Sequence, residues 1–309
     1  FRRVLFRSCE YTNSYLEFFP RISIILNVEE DHMDFFHDLA EIRDSFRRFA
    51  SLLPEDGTLI INGMIDRYSE LTSGLSCEII TFGDTDAFDY YPSDITYDEN
   101  GRAAYTLHRS ERILTSGSSL SPTEDVKLGV VGKHNIFNSL AAFALADRLS
   151  ITPVTVTSAL EAFNGTDRRF EEKGSLGDIK IIDDYAHHPT EISATLQAAH
   201  QYPHHEIWCV FQPHTYTRTK AFLPEFSKAL STADHVILAD IYAARETDTL
   251  GISSADIVDG LTALGTDACY IPDFDGIEAY LLEHVNSGDL IITMGAGNIC
   301  AVGDHLLGK

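Results

Sequence analysis

Short apolar runs alternate along this chain with stretches whose apolar side chains recur every three or four residues. Ile24-Ile25-Leu26, Thr58-Leu59-Ile60-Ile61 and Glu78-Ile79-Ile80 read as strands, and residues 38–53 between the first two read as a helix. Runs that end in Asn, Gly or Asp and hand over to a helix mark parallel α/β units. Between Ile95 and Leu107 the pattern becomes strict alternation broken by Asn100-Gly101, the signature of a hairpin. A small antiparallel sheet is therefore expected beside the parallel one, with residues 126–131 adding a strand to it. Residues 135–149 carry Ile136, Leu140, Phe143 and Ala144 near helical period in an Ala-rich context and predict a packed helix. A second helix over 155–163 stops at Asn164-Gly165, which sets the expected domains at 1–166 and 167–309.

Beyond that point the alternation restarts. Strands are expected at 179–182, 207–211, 236–238 and 290–293, with helices at 190–200, 222–230, 254–264 and 276–284. Four strands with helices between them predict a doubly wound, Rossmann-like layer. The overall expectation is an α/β chain: a parallel sheet with a small antiparallel sheet, followed by a Rossmann-like domain.

Composition narrows the function classes. The 309 residues are 44% hydrophobic and 23% charged, ordinary for a folded protein. No apolar run approaches the ~20 residues a spanning helix needs, so no membrane insertion is expected. Lys and Arg number 23 against 47 Asp and Glu, a net charge of −24 that would repel a polyphosphate backbone and argues against nucleic acid as partner. An anionic small molecule remains compatible where a few cations or a metal reverse the field locally. Five scattered cysteines with no C-x-x-C pair suit a reducing compartment, and a cytoplasmic location is expected. Residues 1–8 are basic and apolar, lack the core of a signal peptide, and differ in character from the rest of the chain.

In doubly wound sheets ligands sit beyond the carboxyl ends of the strands, so the residues after each strand carry the candidate chemistry. After the first strand, Asn27-Val28-Glu29-Glu30-Asp31-His32-Met33-Asp34 sets one imidazole among four carboxylates, either a solvated acidic loop or a divalent-cation site. Gly132-Lys133-His134-Asn135-Ile136-Phe137-Asn138 opens the Ala-rich helix. Asn135 and Asn138 share a face there, where they either cap the helix or read a base edge. Arg168-Arg169 after the linker is either a surface ion-pair cluster or a bidentate phosphate ligand. Asp183-Asp184-Tyr185-Ala186-His187-His188-Pro189-Thr190-Glu191 leaves a buried strand with two carboxylates, a phenol and two imidazoles, a density that points to function. Gln212-Pro213-His214-Thr215-Tyr216-Thr217-Arg218-Thr219-Lys220 is a donor-rich loop able to hold a carboxylate or phosphate. Met294-Gly295-Ala296-Gly297 either turns the chain or lets a ligand approach the backbone. No G-x-x-x-x-G-K-[ST] phosphate loop occurs in the sequence.

Taken in order and spacing, these five polar strings resemble the Mur ligases over residues 9–309, and the Gln-Pro-His…Tyr-Thr-Arg-Thr string resembles the alanine-adding branch. The resemblance implies a central ATPase domain without its phosphate loop, followed by the Rossmann-like domain that brings the amino acid. It implies ATP and Mg²⁺ as cofactors, UDP-N-acetylmuramate and L-alanine as substrates, and amide formation through an acyl phosphate. His32 would bind the metal, His134, Asn135, Asn138, Arg169 and Asp184 the nucleotide, and Tyr185, His214 and Arg218 the substrates, with His187, His188 and Arg218 at the reacting groups. A recycling branch that attaches a tripeptide to the same sugar nucleotide is the alternative, and a catalytically silent nucleotide-binding fragment a second. Where the family carries a metal-binding Glu, two residues before Cys9, this chain has Arg7, so either residues 1–8 are foreign to the native protein, which is the expectation, or the metal site is broken. Without a phosphate cradle, the chain by itself is expected to be inactive.

Overall fold

The computed structural model describes residues 11–32, 35–114 and 120–309, so Arg7, Cys9, Met33 and Asp34 lie outside the described residues. The chain forms two units, one holding most of residues 11–163 and the other residues 164–309 together with 97–102 and 130–133.

The first unit runs β1 (Ile22–Ile25), α1 (Leu39–Ala50), β2 (Thr58–Asn62), α2 (Tyr68–Thr72), β3 (Glu78–Phe82), β4 (Tyr90–Tyr97), β5 (Arg102–Arg109), β6 (Thr123–Val131), α3 (Lys133–Arg148) and α4 (Pro153–Ala162). β1, β2 and β3 pair in parallel, and the core cluster against them holds Ile25, Ile42, Phe49, Leu59, Ile61 and Leu71. Each such Ile or Leu, fully buried, stabilises by roughly 2 kcal/mol. α1 starts one residue later than expected, after Asp38, which caps it by accepting the amide of Glu41 at 2.9 Å.

The hairpin forms as expected, but its sheet is not separate. β4 joins β3 through one registered pair, Phe82 with Tyr90, so all six strands make one sheet in the order β1-β2-β3-β4-β5-β6. The extension is tied to α3 by a buried ion pair: Arg109 Nε donates to Asp147 at 2.6 Å, and the Tyr90 hydroxyl donates to the same carboxylate at 2.9 Å.

The second unit runs β7 (Glu171–Leu176), β8 (Ile179–Asp184), α5 (Pro189–Ala199), β9 (Ile207–Phe211), α6 (Tyr216–Ala221), α7 (Leu223–Leu230), β10 (His235–Leu238), α8 (Ser254–Ala263), β11 (Asp267–Tyr270), α9 (Phe274–His284), β12 (Leu290–Met294) and α10 (Cys300–Leu306). Its sheet has six strands rather than the expected four, in the order β11-β10-β9-β12-β8-β7, parallel except for β7. Both added strands are edges. Along β9 the side chains alternate between two cores, with Ile207, Cys209 and Phe211 on one face and Trp208 and Val210 on the other. Because β8, β9, β10 and β12 run in one direction, the loops after them gather at a single edge.

Candidate functional site

At the carboxyl edge of the second sheet, β8 ends in two carboxylates with different neighbours. Asp183 is fully buried between the Arg168 guanidinium, at 2.9 Å, and the Thr293 hydroxyl, at 2.7 Å. Arg168 also donates to the carbonyls of Gly295 (2.6 Å) and Gly297 (3.0 Å), so its guanidinium is committed to holding the strand ends together. Its neighbour Arg169 is held loosely, 3.6 Å from Glu191 with its side chain 36% exposed. Arg168 and Phe170 both take left-handed backbone conformations (φ 59° and 50°), which turns the two adjacent guanidiniums to different tasks. Neither reading offered for the pair describes Arg168, whose contacts are internal, while Arg169 keeps a partly exposed ion pair with Glu191.

Asp184 accepts the amides of Phe170 (2.9 Å) and Ala186 (2.8 Å), one on each oxygen. Burial pushes this carboxyl up to about 6, against those amides and the charge of Arg169. The chain then enters α5 with Pro189 in the first turn and His188 as its cap, accepting from the Thr190 amide at 3.4 Å. Glu191 closes the box: one oxygen accepts the His187 and His188 amides at 3.0 and 3.3 Å. The His187 ring lies 3.0 Å through Nδ1 from the Tyr185 carbonyl, and its plane meets the Tyr185 ring edge-on.

The loop after β9 brings in His214 and Arg218. Arg218 Nη1 donates to the His214 carbonyl (3.0 Å) and to His214 Nδ1 (3.2 Å), and the His214 ring stacks on Tyr242 and meets His187 edge-on at 5.9 Å. Burial, then the Arg218 charge, pull His214 down to about 4, with Glu246 opposing. The loop is braced from the segment after β10: Tyr242 donates its amide to the Pro213 carbonyl, and Glu246 accepts the amides of Tyr216 (2.6 Å) and Thr217 (3.0 Å). Burial works to raise Glu246, yet the hydroxyls of Thr217 and Thr215 and those two amides hold it below the usual carboxylate range. The bracing carries strain, because Thr215, a β-branched residue, sits at φ 81°.

The glycines after β12 have a cause that neither sequence reading supplied. A side chain on Gly295 (φ 145°) would come within 2.6 Å of the Gln212 carbonyl oxygen, and one on Gly297 within 2.2 Å of Gln212 Oε1. The close approach they permit is to the chain's own Gln212.

In the first unit, His32 adopts a left-handed conformation (φ 54°), its ring 4.9 Å from that of Tyr11 and its Nε2 3.8 Å from the Asp31 carboxylate. His32 and Asp31, their side chains 23% and 28% exposed, are residues of this loop that could offer a ring nitrogen and a carboxylate oxygen to a divalent cation. α3 begins at Lys133, which places Asn135 in the third helical position and Asn138 in the second turn, so neither caps the helix. Instead Asn138 Nδ2 donates to Asn135 Oδ1 at 3.0 Å, giving two coupled amides on one face, with His134 exposed just before them.

Two family domains cover this chain in tandem: the Mur ligase middle domain matches residues 10–146, and the Mur ligase glutamate ligase domain matches residues 168–297. The chain belongs to the Mur ligase family. Among curated Mur ligases it is 53% identical over 302 residues to the UDP-N-acetylmuramate–L-alanine ligase of Agathobacter rectalis, covering 98% of this chain and 64% of that protein. To the enzyme of the same name from Caldanaerobacter subterraneus it is 44% identical, covering 97% of this chain and 63% of the relative. The chain thus spans less than two thirds of the length of the curated relatives it matches. The crystal structure of the Thermotoga maritima UDP-N-acetylmuramate-alanine ligase superposes with a TM-score of 0.73 at 26% identity, over 96% of this chain and 61% of that one. A murein peptide ligase from Psychrobacter arcticus, 23% identical with a TM-score of 0.66 over 96% of this chain and 58% of that one, shares the fold. Among the described residues no helix is long and apolar enough to cross a membrane.

Within this Mur ligase, the second unit gathers Arg169, Asp184, Tyr185, His187, His188, His214 and Arg218 at one sheet edge, while His32, His134, Asn135 and Asn138 belong to the first unit. Tyr242 and Glu246 escaped the sequence reading. For Tyr242 the signal was present, because the rule of inspecting the residues after each strand applies equally to the strand ending at Leu238.

Proposed function

We propose that this chain is the nucleotide- and amino-acid-handling part of an ATP-dependent ligase that joins L-alanine to UDP-N-acetylmuramate in the cytoplasm. The observation that carries the reading is the 53% identity, continuous through both units, to a ligase of that name. In this reading the muramyl carboxylate attacks the γ-phosphoryl group of ATP, giving an acyl phosphate and ADP, and the amine of L-alanine then displaces phosphate. Such chemistry depends on positioning and charge neutralisation.

The first unit supplies the coupled amides of Asn135 and Asn138 for the adenine edge, with His134 beside them. His32, with Asp31 alongside, is the residue that would hold Mg²⁺, whose contribution when bound is to neutralise phosphate charge. From the second unit, Arg169 exchanges its loose contact with Glu191 for phosphate oxygens. Asp184 accepts the amides of Phe170 and Ala186 and the Thr195 hydroxyl, and its remaining acceptor capacity serves the ribose hydroxyls. Arg218 binds the amino-acid carboxylate. Tyr185, His187, His188 and His214 shape the space around the reacting amine.

The test is a chimera in which the portion of the Agathobacter rectalis ligase preceding the matched region is fused ahead of Tyr11. Phosphate release that requires ATP, Mg²⁺, UDP-N-acetylmuramate and L-alanine, and is slower with a tripeptide, is expected; release with tripeptide but not alanine, or none at all, overturns the reading. The 309-residue chain assayed alone should be inactive, since its sequence lacks a phosphate loop.

A further inference from the structure

An asparagine followed by glycine is open to attack from its own backbone, because the glycine has no Cβ to hinder the nitrogen that follows the carboxamide. The sequence holds three such pairs, Asn62-Gly63, Asn100-Gly101 and Asn164-Gly165, and the fold treats each differently. The attacking atom is the glycine amide nitrogen once it has lost its proton, so an N–H that already donates must first give up that bond. Gly63 donates to the Phe82 carbonyl at 2.8 Å. Its asparagine is held at both ends of the carboxamide: Nδ2 donates to the Leu26 carbonyl at 3.0 Å and Oδ1 accepts the Met64 amide at 2.9 Å. At the hairpin tip Gly101 donates to the Asp98 carbonyl at 3.0 Å, and the Asn100 amide is fixed on the Asp98 carboxylate at 2.9 Å. The third pair differs. Among the described residues neither the Asn164 carboxamide nor the Gly165 amide makes a hydrogen bond.

Asn164 is exposed and is the residue at which the second unit begins. The chain is packed on either side of it. Before it, the carbonyls of Glu161 and Phe163 lie so close to Gly129 that a side chain there would come within 2.6 and 2.4 Å of them. After it, the Arg169 amide donates to the Thr166 carbonyl at 3.2 Å. We propose that Asn164 is a site of spontaneous modification, at which the chain converts its own asparagine to isoaspartate and aspartate with water as the one co-reactant. The Gly165 nitrogen gives its proton to solvent and bonds to Asn164 Cγ. The bond from Cγ to Nδ2 breaks, ammonia leaves, and a five-membered succinimide remains. Water then opens the ring at either carbonyl. Opening at Cγ gives aspartate; opening at the backbone carbonyl carbon gives isoaspartate, through which the chain runs one methylene longer. Either product places a new negative charge three residues before Asp167. The step uses no group of the proposed ligase site, so it stands or falls separately from that reading.

The three pairs serve as each other's controls. The full chain is aged in mildly alkaline buffer and digested, and the asparagine, aspartate and isoaspartate forms of each peptide are separated by chromatography and weighed by mass spectrometry. Conversion at Asn164 should run about tenfold faster than at Asn100, and Asn62, which has the most hydrogen bonds to give up, should be slowest. Equal rates at the three sites, or faster conversion at Asn62 or Asn100, overturns the proposal. In urea the pairs lose their different surroundings, and the three rates should converge to within about threefold. A ranking that survives in urea is set by the neighbouring residues and not by the fold, and also overturns it. Asn164→Gln, whose cyclisation needs a six-membered ring, should remove most of the isoaspartate that a methyltransferase specific for it detects, with the urea midpoint unchanged. An undiminished signal in that variant places the modification elsewhere and overturns the assignment.

Discussion

The two ends of the second sheet gather the same residue types and treat them in opposite ways. At the amino end His235 lies between Asp267 (2.7 Å) and Glu206 (3.3 Å) and stacks on Trp208 at 3.9 Å. Asp289, its side chain fully buried, accepts from the Asn286 amide, Trp208 Nε1 and His205 Nδ1. Burial works against ionisation at both, yet the carboxylates raise His235 and the donors lower Asp289, so each is favoured in its charged form. At the carboxyl end burial prevails: Asp184 is pushed up to about 6 and His214 down to about 4. One end pairs its charged groups with one another; at the other, burial outweighs the partners and favours the uncharged forms. His205, Glu206 and Asp289 bring ligand atoms within 4.8 Å of one another, but three protein donors already satisfy Asp289, and we read the cluster as a structural clasp.

The contrast can be broken in several places. The largest effect should come from the adjacent arginines: Arg168→Ala strands the buried Asp183 and should cost about 3 kcal/mol in urea unfolding, whereas Arg169→Ala should cost under about 0.5 kcal/mol while weakening nucleotide binding. Similar losses for the two would erase the distinction drawn between them. Next, Asp289→Asn should cost about 2 kcal/mol by the same measurement and leave ligation by the chimera unchanged; a large drop in turnover would mean the amino end is not purely structural. Glu246→Gln, which weakens the brace on α6, should cost about 1 kcal/mol and raise KM for L-alanine. The last signal is a pair of opposite slopes, each limited to about 1.4 kcal/mol per pH unit, the most that a one-proton difference allows. His214 folds with its pKa below the unfolded value near 6.5, so its contribution is complete above that pH and lost on acidification toward about 4. His235 folds with a raised pKa, so its contribution is complete below about 6.5 and lost as pH climbs through the raised value. Stability series of His214→Gln and His235→Gln should each flatten one slope.

The central strands were legible because burial on both faces writes them as unbroken apolar runs, as in Ile207–Phe211. β7 and β11 were not. Edge strands cover one face, and Glu-Glu-Lys-Gly-Ser-Leu with its bulge at Glu172/Gly174 carries no run to read. Inspecting strand ends found His187, His214 and Arg218, but not Glu246, whose effect is exerted eight residues beyond the end of β10 through backbone amides. The division of labour between Arg168 and Arg169 is set by backbone angles on either side of one residue, and two identical side chains in succession give no hint of it.

Glu191 offers its two oxygens to different clients, one to the start of α5 and the His187 ring, the other to Arg169. An anion that drew the arginine away would therefore free only one arm of the carboxylate. The helix keeps its anchor throughout, and the cation can change partners without loosening the imidazole a few ångströms from it.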